Sequence, residues 1–247
     1  MNSSVPSNEP LPSREIICGD AIAWLNTFED NGLPEGYSGF TSLPDISEVV
    51  QIFHTDTVAY KKWFTDSAAL FMSKLAIGSY IIFLQSDVRY LSTSGEVSEW
   101  IDKSFLCSVA AERTGCVMMW HKLVNKRSNK RSTGRPAYSH LLCYAKNGWR
   151  SFLQCTYRTS LFAVPDIFYR GAMLWPKGIG LDSCFVGVMF LKSVVNAIGI
   201  IDPFAGQGTV LAMAGAVGLP SIGVELSAKR CRKAQNLVIQ LDLISAY

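Results

Sequence analysis

The sequence predicts an α/β fold built as a doubly wound sheet with helices on both faces. Short apolar segments of strand length alternate with segments in which apolar residues recur every three or four positions. This alternation is typical of a largely parallel sheet that is covered on both sides. The turn Gly206-Gln207-Gly208 follows one short apolar segment and precedes a helical one. Because glycines let the backbone approach a ligand closely, this turn predicts a ligand site at the end of a strand.

The first half of the chain predicts three strands, each followed by a helix. The first strand ends in Asp20, and Pro44 stops the second. Gly115 is suited to end the third helix, because glycine adopts the left-handed conformation of a helix C-terminus. In order, the predicted strands cover 16–20, 37–43 and 79–84, and the helices that follow them cover 21–28, 46–75 and 97–113.

The second half predicts two strands joined by a polar loop, and then the elements around the glycine turn. The loop at 125–136 contains Gly134 and Pro136 and has no apolar periodicity, so it is expected to be mobile. The predicted strands cover 116–120, 139–144, 200–202 and 221–224, and the predicted helices cover 181–197, 210–217 and 228–241.

The length of 247 residues fits one α/β domain, or one domain with a modest insertion. Residues 1–13 are rich in Ser, Pro and Asn and predict a disordered leader, so the domain is expected to cover 14–247. No apolar run reaches the roughly 18 residues that a membrane span needs, so a membrane protein is not expected. Seven cysteines without a C-x-x-C pair and three isolated histidines predict free thiols in an intracellular, reducing compartment, and no metal site.

Positive charge is concentrated in one stretch of the chain. No Asp or Glu occurs between Arg113 and Pro165, while lysines and arginines accumulate there. Such a stretch favours a polyanionic partner, a nucleic acid, and the alternative is a solvated basic loop without a partner. A recognition loop is expected at about 121–137, and its candidate substrate-binding residues are Lys122, Lys126, Arg127, Lys130, Arg131 and Arg135.

The residues around the glycine turn are more specific than the turn itself. They form the octapeptide Asp202-Pro203-Phe204-Ala205-Gly206-Gln207-Gly208-Thr209, and the next predicted strand leads to Glu225. A carboxylate at the carboxyl end of that strand is suited to hold ribose hydroxyls. A dinucleotide fingerprint would be Gly-x-Gly-x-x-Gly, which this turn does not supply.

The octapeptide resembles the S-adenosylmethionine (SAM) loop of the amino methyltransferases that modify nucleic-acid bases. The segment Phe40-Thr41-Ser42-Leu43-Pro44-Asp45 is similar to the Thr-Ser-Pro-Pro-Tyr motif of the permuted, β-class members, which include cytosine-N4 and adenine-N6 DNA methylases. The order and spacing of segments agree from about residue 16 to 236. The resemblance implies a Rossmann-like SAM-methyltransferase fold with circularly permuted motif order, and SAM as the cofactor.

The resemblance also implies roles for residues around the cofactor. Asp202 would orient the turn and contact the SAM amino group or a water, and Glu225 would hold the ribose. Asp20 would lie near the adenine, unless it only caps the helix that follows it. Trp175-Pro176-Lys177 is similar to the segment that packs on the methionine end. The implied cofactor residues are Asp20, Lys177, Asp202, Phe204, Gly206, Gly208, Thr209 and Glu225.

At the target end, this chain departs from the family motif. In the family, a polar side chain and the carbonyl of the next residue accept hydrogen bonds from the exocyclic amine, and an aromatic residue stacks on the flipped base. Ser42, the Leu43 carbonyl and Pro44 fill the first three places, but Asp45 cannot stack. Asp45 is then a second acceptor or base, or another aromatic supplies the face, or the site no longer methylates. The candidate aromatics are Phe53, Tyr60 and Trp175.

The sequence thus predicts a SAM-dependent N-methyltransferase that acts on an exocyclic amino group of a base in RNA or DNA. Ser42 followed by Pro44 leans toward cytosine N4 over adenine N6. The basic loop is short for a specific DNA-recognition domain, which leaves RNA, or DNA bound with a homodimeric or different partner subunit. One alternative is a catalytically degenerate methyltransferase-fold subunit that serves as an RNA-binding or scaffold protein, and another is a methyltransferase for a small molecule or protein.

Overall fold

A computed structural model describes residues 12–54, 56–91, 97–126, 136–146 and 164–244. The predicted leader lies outside these residues except for its last two positions. Most of the predicted basic loop also lies outside them. None of the helices in the described ranges combines the length and the apolar character needed to cross a bilayer.

The centre of the molecule is an eight-stranded sheet. Its strand order is β1-β10-β9-β2-β3-β7-β6-β8, and a separate hairpin is formed by β4 and β5. The first five strands of the sheet are parallel, β7 is antiparallel to both β3 and β6, and β8 is parallel to β6. The strands are β1 (Arg14–Cys18), β2 (Tyr37–Thr41), β3 (Tyr80–Gln85), β4 (Val88–Leu91), β5 (Val97–Ile101), β6 (Cys116–Asn125), β7 (Tyr138–Lys146), β8 (Ile167–Tyr169), β9 (Gly199–Asp202) and β10 (Ser221–Glu225).

Helices cover both faces of this sheet. They are α1 (Ala21–Leu25), α2 (Val50–Phe53), α3 (Thr57–Lys74), α4 (Lys103–Thr114), α5 (Leu181–Phe190), α6 (Thr209–Ala216) and α7 (Ala228–Asn236). A π-helical turn, Leu191–Val195, continues α5, and a short 3₁₀ turn, Leu241–Leu243, follows α7.

Two hydrophobic clusters lie on the two faces, and successive strand residues alternate between them. In β9, Ile200 packs with α5 and α6, whereas Ile201 packs with α3 and α4. Cys143 and Tyr144 of β7 divide in the same way. Because adjacent side chains of a strand point to opposite faces, this division requires a sheet that is buried on both sides. The predicted doubly wound fold is confirmed.

The chain reverses its direction of travel across the sheet between β9 and β2. The α6 crossover carries the chain from β9 to β10 on one side, and α3 carries it from β2 to β3 on the other. Gly39 of β2 pairs with Ile201 of β9, so the carboxyl ends of the two strands are adjacent. Ligands of open α/β sheets bind at such a switch point.

Several predicted helices are shorter or divided in the structure. The helix predicted over 21–28 ends at Leu25, and the helix predicted over 46–75 is divided into α2 and α3. The helix predicted over 97–113 begins at Lys103, because Val97–Ile101 pairs with β4 and the Asp102 side chain caps the helix by accepting from the Phe105 N–H. Gly115 ends that helix in the left-handed conformation, as predicted. The helix predicted over 228–241 ends at Asn236, where the Arg14 guanidinium donates to the carbonyls of Ala234 and Leu237.

Candidate active site

A cleft of about 750 Å³ opens at the carboxyl ends of β2, β9 and β10. It brings together residues that lie far apart in the sequence, among them Ser42 and Gly206. Of the residues assigned to the target amine and the cofactor, all except Asp45 and Gly208 line it. The lining members of that set are Asp20, Ser42, Leu43, Pro44, Lys177, Asp202, Phe204, Gly206, Thr209 and Glu225.

Asp202 is the last residue of β9, and its carboxyl group is buried at the base of the cleft. Its Oδ1 accepts a hydrogen bond from Thr41 Oγ1 at 2.6 Å and another from the Phe204 N–H at 3.1 Å. Burial is the main cause that raises the pKa of Asp202 to about 7, the charge of Glu225 acts in the same direction, and the two hydrogen bonds oppose them. A buried carboxyl of this kind is stabilised in its charged form by a cation placed in the cleft.

The two glycines of the turn have different surroundings. Gly206 has a φ of +56°, and a Cβ added there would meet no atom within 4 Å, so the backbone faces open space in the cleft. Gly208 has a φ of +86°, and an added Cβ would lie 2.7 Å from the Cα of Ala234 in α7. Gly208 therefore allows α7 to pack closely against the turn, whereas Gly206 leaves room for a ligand.

Glu225 and Asp20 stand at the ends of neighbouring strands. Glu225 closes β10, and its Oε1 accepts from the Ser227 N–H at 2.8 Å while Arg230 lies 3.9 Å away. Asp20 caps α1 by accepting from the Ala23 N–H at 2.8 Å, as its alternative role requires. Its exposed side chain also lines the cleft, so a contact with the adenine stays a prediction.

The segment from Ser42 to Asp45 divides between the cleft and the interior. Ser42, Leu43 and Pro44 line the cleft, and the Pro44 carbonyl accepts a hydrogen bond from Tyr60 at 2.9 Å. The Asp45 carboxylate lies in the interior, where Oδ2 contacts Lys103 Nζ at 3.1 Å. The two side chains are only 7% and 2% exposed. Asp45 therefore does not line the cleft, and its charge stabilises the segment from within.

The three candidate aromatics are placed differently. Tyr60 is fully buried, and Phe53 packs against it at a ring distance of 5.9 Å. Trp175 lines the cleft. A further aromatic, Trp63 of α3, also lines it and meets the Phe204 ring edge-on at 6.5 Å. The sequence places Trp63 only within the helix predicted over 46–75, because its position at the cleft depends on how α3 packs against the turn.

The predicted phosphate ligands that the structure describes lie away from the cleft. Lys122 Nζ donates to the Val164 carbonyl at 2.8 Å and contacts the Asp166 carboxylate at 3.1 Å. Lys126 Nζ donates to Ser86 Oγ at 2.8 Å. The charge of Lys122 is thus offset by the first acid beyond the basic stretch. The other predicted ligands, Arg127, Lys130, Arg131 and Arg135, lie outside the described residues.

Two of the isolated histidines meet in the structure. His121 Nε2 lies 2.9 Å from His140 Nδ1, and His140 Nε2 lies 3.0 Å from Asp87 Oδ2. Within the described ranges, Asp87, His140 and Asp102 bring ligand atoms to within 4.8 Å of one another. Each is engaged: Asp87 Oδ1 accepts from the Lys103 N–H at 3.0 Å, and Asp102 caps α4. These contacts make the group a hydrogen-bonded support for the start of α4.

Comparison with known proteins finds similarity in structure but not in sequence. No model of a known protein family matches the chain, and no curated protein matches it. TTHA0409 of Thermus thermophilus, a candidate DNA modification methylase, has 17% identity and a TM-score of 0.64, with 91% of this chain and 93% of that one covered. Its complex with SAM has 16% identity and the same TM-score, with 90% and 91% covered.

A second solved structure has the same fold. The cytosine-N4-specific DNA methyltransferase PvuII has 12% identity and a TM-score of 0.62, with 94% of this chain and 90% of that chain covered. At these low sequence identities, the similarity shows a shared fold and nothing more specific. The resemblance inferred from the sequence is confirmed for the fold. The glycine turn follows β9, a central strand of the sheet that comes late in the chain, as the permuted motif order requires.

Proposed function

We propose that this protein is a SAM-dependent methyltransferase that methylates an exocyclic amino group of a base in DNA. The observation that carries the proposal is the meeting of the Gly206 turn with Ser42 in one cleft, although the two are separated by most of the chain. Two solved structures with this fold are described as DNA methylases, and this similarity supports the choice of DNA over RNA in the proposal. A scaffold without catalysis would need no open cleft at this switch point.

The residues of the cleft fit SAM. The methionine portion carries a cationic amine, and the buried Asp202 carboxyl offers it a negative charge. Gly206 leaves open space where a side chain would block a ligand, and Glu225 ends the next strand, where it can accept from ribose hydroxyls. When bound, SAM supplies an electrophilic methyl group on a sulfonium.

The target amine is proposed to lie against Ser42 and the Leu43 carbonyl. Hydrogen bonds that these oxygens accept from the amine increase the electron density on nitrogen and hold its lone pair toward the methyl group. Trp175 and Trp63 line the same cleft and offer faces for the base in place of the aromatic that Asp45 replaces. Stacking of this kind contributes about 1–3 kcal/mol per base.

The cofactor part of the proposal is tested by Gly206→Arg, which fills the open space in the cleft. Gly78→Arg is a matched control, because Gly78 also has a positive φ and open space but does not line the cleft. Calorimetry should show that the wild type and Gly78→Arg bind SAM and that Gly206→Arg does not. Absence of SAM binding by the wild type would refute the proposal.

The chemical part is tested by transfer of labelled methyl from SAM to DNA and, in parallel, to RNA. Ser42→Ala should retain SAM binding and lose about 100-fold in rate, because one acceptor of the amine is removed. A wild type that binds SAM but transfers nothing to either polymer would favour the non-catalytic alternative. Transfer to RNA alone would replace DNA as the substrate, and nucleoside mass spectrometry identifies the modified base.

A further inference from the structure

A second concave surface adjoins the cleft, and apart from Trp175 its lining residues have no role in the proposed reaction. This groove, of about 640 Å³, lies between α7 and the segment at Trp175. Trp175 and Gln207 line both the groove and the cleft, so the two are continuous. The remaining lining residues are Leu174, Lys229, Arg232, Lys233, Asn236 and Leu237.

The cations of the groove are presented by the packing of α7. The buried face of this helix is fixed by Cys231 and Ala234, and Ala234 lies against Gly208. Residues three and four apart share a helix face, so Lys229, Arg232 and Lys233 project together on the exposed side. Arg230 lines the cleft and does not line the groove.

Little negative charge offsets these side chains. No Asp or Glu occurs between Glu225 and Asp242 in the sequence. Lys233 Nζ donates to the Gln207 amide oxygen at 3.1 Å, which is a neutral partner. Within the described part of the chain, neither Lys229 nor Arg232 forms an ion pair. Like charges at this spacing repel one another, and an anion in the groove relieves that repulsion.

We propose that this groove binds the phosphodiester backbone of the DNA whose base occupies the cleft. The inference rests on the proposed function, and it adds a substrate contact that does not involve the basic loop. The three cations supply charge for phosphates, and the apolar floor of Leu174, Trp175 and Leu237 suits the sugars between them. Continuity through Trp175 and Gln207 allows one strand to lie across both surfaces.

The test neutralises two groove cations without touching the cleft. In Lys229→Gln/Arg232→Gln, affinity for a fluorescently labelled DNA duplex should fall roughly tenfold at low salt, and the slope of log K against log salt should shrink by about 2. Calorimetry with SAM should be unchanged, because neither residue lines the cleft. The control Lys62→Gln/Arg113→Gln removes the same charge from exposed residues that both contact Asp66.

Each outcome decides the inference. Equal DNA affinity and salt slope in the groove variant and the wild type would overturn it, and so would equal losses in the groove and control variants. Loss of SAM binding in the groove variant would instead make the groove part of the cofactor site. A wild type without SAM binding or methyl transfer contradicts the proposed function itself, whereas an active wild type with an unaffected groove variant contradicts only the groove.

Discussion

The single carboxyl group of Asp202 is expected to couple proton binding to ligand binding. Burial raises its pKa to about 7, so the group is partly protonated near neutrality. A cationic amine binds the carboxylate form, and binding must therefore release the proton at lower pH. We expect SAM affinity to be constant above about pH 8 and to fall by up to about tenfold per unit below pH 7. Calorimetry across this range measures it.

The variant Asp202→Asn is the control for this prediction, since it keeps the shape of the side chain and removes its titration. Its SAM affinity should be low and independent of pH between 5 and 8. The folded state of the wild type holds the Asp202 proton more tightly than the unfolded state does. This carboxyl therefore contributes stability that is complete below about pH 4 and is lost as the pH rises to about 7. In Asp202→Asn without ligand, this contribution to the pH dependence of the free energy of unfolding should disappear.

Asp45 and Lys103 are expected to matter for stability more than for chemistry. Removal of Lys103 takes the balancing cation away from the buried Asp45 carboxylate, so Lys103→Met should lower the free energy of unfolding by about 3–5 kcal/mol. The double variant Lys103→Met/Asp45→Leu should recover part of this loss. Urea unfolding provides the values.

The half-exposed pair of Lys61 and Glu99 serves as the comparison for the buried one. Lys61→Met should cost at most about 1 kcal/mol, because solvent screens the lost attraction. If Lys103→Met were as mild as Lys61→Met, the buried pair would not hold the segment that carries Ser42 and Pro44.

At the scale of elements, the glycine turn combines a ligand face and a packing face. Gly206→Ala should cost about 1 kcal/mol, since only the left-handed backbone is unfavourable for alanine. Gly208→Ala adds a clash with the backbone of α7 and should cost about 1–3 kcal/mol more. Denaturant midpoints measure both. Equal losses would mean that α7 does not pack as tightly on the turn as the geometry indicates.

The elements that the sequence predicted well are those whose signal is local. The strands that end at Asp202 and Glu225 are short apolar segments next to turn residues, and the glycine turn between them is marked by residue type. The segment 97–101 was predicted as helix from its helical spacing. It is a strand because its pairing with β4 and the Asp102 cap outweigh that spacing. The three-residue strand β8 offers too short a pattern to be recognised.

The site residues show the same contrast between local sequence signals and long-range contacts. Ser42 and Gly206 were predicted from motifs, whereas the interior position of Asp45 depends on Lys103, a partner 58 residues away. The contact between Lys122 and Asp166 likewise joins residues 44 apart. Sequence spacing does not encode such long-range pairs unless the packing of helices on the sheet is known.

For the whole molecule, buried thiols report whether the two faces of the sheet unfold together. Cys107 belongs to the cluster under α3 and α4, and Cys184 to the cluster under α5 and α6. Burial raises the pKa of both thiols, which slows alkylation further. Iodoacetamide pulses should label the exposed Cys18 in the native protein, and Cys107 and Cys184 only on unfolding, at the same urea concentration.

Mass spectrometry of the labelled peptides measures this protection site by site. If Cys107 became reactive well before Cys184, the two helical layers would separate from the sheet independently. A shared midpoint would support a single cooperative domain in which both layers depend on the same strands.

The adjacency of β2 and β9 has a consequence for how the protein is made. Strand β2 emerges from the ribosome early, but the neighbour that completes its edge, β9, is translated about 160 residues later. Until then the nascent chain holds a central strand with one unpaired edge, which is open to incorrect pairing. Such a sequence-distant pairing also gives high contact order, which slows folding. Protection of the growing polypeptide during synthesis therefore matters more here than it would if the sheet assembled from consecutive strands.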